Sequence, residues 1–315
     1  MKFNNYSMEI LLGHDRFEEF ISSFNEGRVY KCHFDAPASD ILTPSALEDI
    51  INTRRLSFPR CRLVRSGKPV SPAEYNERSH SAMGEGIVKL IPQRVMQEIE
   101  NGATLALDFA EDVSMTIRAV TESLSVFFQE RTGATVFFSV GNEKGFTTHW
   151  DNSDTLIFQL SGKKKWHLFK NDFAFPVAEN KSSLSIPEGR PSESFILNEN
   201  EFLYLPRGQW HAPEPCDSHS LHISFAFRRR NGIDFIKYLL PKLSSHLSFR
   251  KDINKFYDEN DQAVYIDRLR SEFEDIISVD HLKEFLTSSQ NRQFASPPIL
   301  LHDLIKNREK KEDKL

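Results

Sequence analysis

His149-Trp-Asp151 precedes the run Thr155-Leu-Ile-Phe-Gln-Leu-Ser-Gly-Lys-Lys-Lys-Trp-His-Leu-Phe169, and Leu203-Tyr-Leu-Pro-Arg-Gly-Gln-Trp-His211 follows it. Residues i and i+2 of a β-strand project to one side, so His149 and Asp151 can converge on one ion while Trp150 faces away. The run 155–169 reads as two short apolar strands broken at Ser161-Gly162, a hairpin whose second arm is basic. A third ligand about sixty residues downstream requires a sheet closed on itself, which brings a later strand back to the same point. His211 is placed to be that ligand. Two imidazoles and one carboxylate hold iron(II) on one face and leave the opposite face for a co-substrate and oxygen, so the pattern points to oxidation chemistry.

The His-x-Asp pair alone is weak, because a chain with 11 histidines produces it by accident. His33-Phe34-Asp35 has the same pattern. It runs into Ala-Pro-Ala-Ser, a loop signal, with no glycine break and basic strand behind it. The surroundings favour His149/Asp151 as the metal pair and leave His33/Asp35 outside it.

Several segments together resemble a known family. Gly145-Phe-Thr-Thr-His149-Trp-Asp151, Gln159-Leu-Ser-Gly162, a basic residue thirteen positions after Asp151, Leu-Pro-Arg-Gly-x-Trp-His211 and Ser220-Leu-His-Ile223 occur in order. Over residues 133–227 the chain is similar to the JmjC-type cupin dioxygenases that depend on Fe(II) and 2-oxoglutarate. Within these it looks most like the branch of ribosomal oxygenases and asparaginyl hydroxylases. Arg62-Leu-Val-Arg-Ser-Gly-Lys-Pro-Val70 resembles a segment of the ribosomal-oxygenase branch.

The resemblance implies a mainly β fold with flanking helices, a double-stranded β-helix (jelly-roll or cupin) core and a C-terminal helical region. It implies that His149, Asp151 and His211 are the iron ligands and that Lys164 pairs with the distal carboxylate of 2-oxoglutarate. A dianion in an apolar barrel needs such a cation. On a strand, Lys163 and Lys165 then turn to the solvated face. Thr135 matches a position that contacts the co-substrate, where relatives frequently carry Asn, and Ser224 is a candidate of the same kind. Oxygen and 2-oxoglutarate would be consumed, giving succinate and CO2 with hydroxylation of an amino-acid side chain in a protein or peptide. Alternatives are the same chemistry on a small molecule, such as a free amino acid or natural-product intermediate, N-methyl-lysine demethylation, and a non-catalytic metal-binding cupin scaffold.

The 315 residues suit one well-buried barrel plus a smaller accessory region. The expected division is an N-terminal α/β region supporting the barrel (1–132), the JmjC/cupin catalytic core (133–230), a helical region that forms a homodimer or packs on its own barrel (231–305) and a charged tail (306–315). A winged-helix domain, which follows the helical region in the ribosomal-oxygenase branch, does not fit in what remains. Net charge −5 and pI about 6.1 argue against direct nucleic-acid binding. Arg228-Arg-Arg230 reads as a solvated strand end. Cys32, Cys61 and Cys216 are few, odd in number and scattered, which fits a reducing compartment. With no apolar leader and no stretch approaching the ~20 apolar residues of a span, a cytoplasmic protein away from membranes is expected. The 26 phenylalanines, including Phe127-Phe128 and Phe137-Phe138, are expected to pack in the core, as are Trp150 and Trp166. The segment 171–200, rich in Ser, Pro, Glu and Asn, reads as a long surface loop, with a border of the substrate groove as the alternative.

Overall fold

The computed structural model describes residues 6–290 apart from 81, 82, 85, 142–145 and 182. Gly145 of the metal-binding motif, residues 291–305 of the expected helical region and the tail 306–315 lie outside the described residues. The chain divides into two units, Met1–Arg229 and Arg230–Leu315.

The first unit carries eleven strands among the described residues: β1 (Tyr30–His33), β2 (Cys61–Arg65), β3 (Lys68–Pro69), β4 (Asn76–His80), β5 (Gly86–Leu90), β6 (Thr104–Asp108), β7 (Thr132–Val140), β8 (Asp154–Leu168), β9 (Glu193–Leu197), β10 (Glu201–Leu205) and β11 (His211–Phe227). Nine of them form one antiparallel sheet in the order β1-β10-β8-β11-β7-β6-β2-β3, with β9 added to β8, while β4 and β5 pair separately. This is the expected double-stranded β-helix with flanking helices. The Pro44–Thr53 helix has proline in its first turn, and the Thr43 side chain accepts a hydrogen bond from the Ala46 N–H.

The long strand β8 corrects one expectation. Ser161-Gly162 is not a hairpin, because β11 pairs with both arms of β8 in one antiparallel direction, from Phe227↔Asp154 to His211↔Leu168. The chain bends without reversing. Gly162, at φ 66°, occupies an irregular stretch of the ladder, where register shifts on both sides leave extra residues unpaired. The bend lets the first arm pair with β10 and the second with β9, and so wraps the sheet around its interior.

The core is aromatic, as the phenylalanine count suggests. Phe128 stacks on Phe227 at 4.0 Å, and Phe20 meets Phe202 and Tyr204 edge-on. The basic run is not merely solvated. The Arg229 guanidinium donates to both oxygens of the buried Asp154 carboxylate at 3.0 and 2.8 Å, the Tyr204 hydroxyl adds a third bond at 2.6 Å, and Arg229 lies over the Phe24 ring. A buried carboxylate needs such partners, which ties the end of β11 to the start of β8.

In the second unit, the expected helical region contains the helices Gly232–Leu239, Glu259–Ile276 and Val279–Gln290. Asn231 caps the first, accepting from the Ile233 and Asp234 N–H groups, and Asp258 caps the second. Arg230 lies over the Phe285 ring and donates to its carbonyl at 2.9 Å.

Candidate active site

His149 reaches His211 through the backbone before the side chains meet. Each residue's N–H donates to the other's carbonyl, at 3.0 and 2.8 Å, forming a bridge outside the regular ladders at the first residue of β11. Both rings are then oriented in the same way. The Nδ1 of His149 lies 2.7 Å from the Thr147 carbonyl, and that of His211 lies 2.9 Å from the Gln209 carbonyl. A carbonyl only accepts, so each Nδ1 carries a proton, and a ring without a second proton leaves its Nε2 lone pair for a metal. The Asp151 carboxylate stands 3.8 Å from His211 Nε2, and one ligand atom from each of the three residues falls within 4.8 Å of the others. Among the described residues this is the one such cluster. Burial, reinforced by the neighbouring His149, pushes His211 down to about 4, so its ring is neutral and ready to ligate at pH 7.

The triad opens on a cavity of about 180 Å³. Thr135 and Phe137 of β7, Lys164 and Trp166 of β8, His222 and Ser224 of β11 and Thr104 of β6 line it. Lys164 is buried and donates to the Ser139 hydroxyl at 3.0 Å; burial pushes its ammonium down to about 8. Lys163 is exposed beside Asp217 and Lys165 is half-buried, in keeping with strand alternation. Burial also holds His222 well below the ordinary histidine range, helped by Lys164, and its ring stacks on Phe137 at 4.9 Å.

Three buried polar atoms of this lining, Thr104 Oγ1, Trp166 Nε1 and His222 Nδ1, have no hydrogen-bond partner among the described residues. Unsatisfied buried groups are costly, and several around one cavity mark a place that a polar ligand satisfies. An ammonium, an indole N–H and a hydroxyl form a donor set suited to a carboxylate. The residues present therefore fit a divalent metal bound together with a small dicarboxylate.

The candidate residues do not all stand alike. His149, Asp151, His211, Lys164, Thr135 and Ser224 all line this one cavity. The Thr135 hydroxyl, however, donates to Asp108 at 3.1 Å, and Asp108 is held in turn by both arms of the Arg62 guanidinium. Ser224 is half-buried in the wall. His33 and Asp35 lie elsewhere: His33 faces Glu201 at 3.8 Å and Asp35 pairs with Arg16. Phe137, Trp166 and His222 line the cavity, although packing alone is the default reading for such rings. The signal was available, since each is two positions along a strand from Thr135, Lys164 or Ser224 and so shares its face.

Residues 108–235 match the family model described as a JmjC domain. The chain is 29% identical over 191 residues to the bifunctional lysine-specific demethylase and histidyl-hydroxylase NO66 of Dictyostelium discoideum, covering 58% of this chain and 37% of that protein. It is 29% identical over 176 residues to ribosomal oxygenase 1 of Gallus gallus, covering 54% and 29%. The chain thus spans about a third of the length of these relatives. The solved structure of YcfD, a ribosomal oxygenase from Escherichia coli in complex with cobalt and succinic acid, superposes with a TM-score of 0.57 at 17% identity, covering 92% of this chain and 75% of that one. Its complex with cobalt and 2-oxoglutarate gives 0.55 with the same coverage. That likeness is one of fold. Residues 108–235 of this chain are thus similar to a JmjC domain, and the fold is shared with these solved structures.

Proposed function

We propose that this chain is an Fe(II)- and 2-oxoglutarate-dependent dioxygenase that hydroxylates an amino-acid side chain in a protein or peptide, with release of succinate and CO2. The observation that carries the reading is the meeting of two free Nε2 atoms, one carboxylate and a buried ammonium in a single cavity. Iron and 2-oxoglutarate, when bound, supply the oxidising power that inserts an oxygen atom into a C–H bond. The protein positions and shields. His149, Asp151 and His211 hold the metal from one side. Lys164, kept in place by Ser139, binds the far carboxylate of the co-substrate, and Trp166 Nε1 and the Thr104 hydroxyl are the remaining donors. Thr135 and Ser224 complete the wall, and Phe137 and Ile157 keep water from it.

The size of the cavity favours a polypeptide over a metabolite. About 180 Å³ is the volume of some six waters at ~30 Å³ each, below the ~300–1,000 Å³ typical of small-molecule pockets. Its volume is on the scale of the co-substrate alone. The target side chain then approaches from outside, where the Asp151 side chain is 45% exposed. The names of the relatives make a histidine side chain of a ribosomal protein the first substrate to try.

The three cysteines are unpaired and no described helix is long and apolar enough to cross a membrane; both support a cytoplasmic location. Exposed Val264, Ile266 and Leu282 on the second unit's helices support a homodimer through that region. The test is succinate release from 2-oxoglutarate by purified protein with Fe(II), ascorbate and ribosomal-protein peptides, with mass spectrometry of the peptides. A one-oxygen increment on a side chain is expected. Turnover confined to metabolite pools would refute the polypeptide reading, and absence of turnover with every pool would refute the oxygenase.

A further inference from the structure

A second cavity in the first unit lies apart from the metal site. A cleft of about 660 Å³ lies between the Pro44–Thr53 and Pro92–Glu100 helices. Each helix contributes a stripe at i, i+3, i+4 and i+7: Pro44, Leu47, Glu48 and Ile51 from one, and Pro92, Val95, Met96 and Ile99 from the other. Leu105 of β6 and Phe138 of β7 also line it. Their chain neighbours Thr104 and Phe137 line the metal cavity, so the two spaces lie on opposite faces of the same strands.

The lining is mostly apolar, and Met96 is 62% exposed within it. The charges at its border are unbalanced. Lys89 is paired with Glu77 at 2.9 Å, whereas the exposed guanidinium groups of Arg54 and Arg55 have no ion pair or hydrogen bond among the described residues. Glu48 is the sole acid in the lining. An apolar trough of small-molecule size beside two uncommitted guanidinium groups is complementary to an apolar chain ending in a carboxylate.

We infer that this cleft binds a free fatty carboxylate, with the chain along the two helical stripes and the carboxylate on Arg54 and Arg55. The site is separate from the metal cavity and does not depend on the proposed reaction. A fatty carboxylate differs from the co-substrate in having one charge and a long apolar body.

Calorimetric titration of the full chain with hexanoate, octanoate, decanoate and dodecanoate, below the concentrations at which they form micelles, tests it. Affinity should rise until the cleft is full, about fourfold per added methylene, the equivalent of ~0.8 kcal/mol per buried CH2. Arg54→Gln with Arg55→Gln changes only exposed positions and should weaken dodecanoate about tenfold or more, bringing it level with dodecanol, which should bind both proteins alike. Ile51→Trp should block binding by filling the trough. Lys164→Ala should leave dodecanoate affinity unchanged. Equal binding of dodecanoate by wild type and the double arginine variant would overturn the inference, as would loss of binding in Lys164→Ala, which would place the carboxylate in the metal cavity. If dodecanoate does not bind and sedimentation shows a dimer that Met96→Glu dissociates, a second copy covers the cleft and the inference fails.

Discussion

Lys164→Met separates the cost of a buried charge from its use. Burial takes the ammonium from its ordinary 10.5 to about 8, so keeping it charged inside the folded protein at pH 7 costs ~3 kcal/mol at 1.36 kcal/mol per pH unit. Methionine preserves the unbranched shape and removes the charge. It also deprives the Ser139 hydroxyl of its donor at 3.0 Å, a loss of ~1 kcal/mol. The metal-free variant should therefore be about 2 kcal/mol more stable than wild type in urea unfolding at pH 7. The pH dependence follows from the same shift. Below about 8 the lysine is charged in both folded and unfolded chains and the full penalty stands. Between about 8 and 10.5 the unfolded chain holds the proton that the folded one has released, so wild-type stability rises with pH and the variant's advantage shrinks. Against this gain, loss of a charge-assisted bond to a dianion, worth ~2–3 kcal/mol, should raise the apparent KM for 2-oxoglutarate by about 30- to 150-fold, read as succinate formed. A variant less stable than wild type at pH 7, with KM unchanged, would refute both halves of the reasoning.

His149→Ala should abolish iron binding by equilibrium dialysis and succinate release with it, whereas His33→Ala, at a side chain 69% exposed beside Glu201, should leave both at wild-type level. Gly162→Ala forces a Cβ to within 2.1 Å of the His219 carbonyl oxygen at φ 66°; the left-handed backbone and the clash together should cost ~3 kcal/mol in chemical denaturation. Asp154→Ala strands the buried Tyr204 hydroxyl and the partly solvated Arg229, and a drop of ~2–3 kcal/mol in unfolding free energy is expected; a change within 0.5 kcal/mol, the ordinary range for surface substitutions, would mean that the network contributes little.

Much of the site was legible because strand alternation is a local property of the backbone. It set Lys164 apart from Lys163 and Lys165, and it would have placed Phe137, Trp166 and His222 on the cavity had it been carried two residues beyond Thr135, Lys164 and Ser224. Large rings in a strand read first as core, and nothing local says whether the neighbouring space is filled. The bend at Gly162 shows the same limit. A glycine at positive φ serves a reversing turn and an irregular stretch within one strand equally well, and only the pairing of β11 with both arms of β8 distinguishes them. Arg229 read as a solvated strand end because its partner Asp154 is seventy-five positions away in the chain.

The sequence by itself determined the residue types that meet at His149, Asp151 and His211, the face of β8 on which Lys164 projects, and the helix that opens at Thr43-Pro44. Only the tertiary structure brought His149 onto the backbone of His211, emptied the space beside Lys164 and left a second cleft between two helices. The difference is physical. Side-chain direction and capping follow from bonds within a few residues, whereas what faces a side chain across a cavity depends on strand order and register, which are set by pairings between residues far apart in the chain.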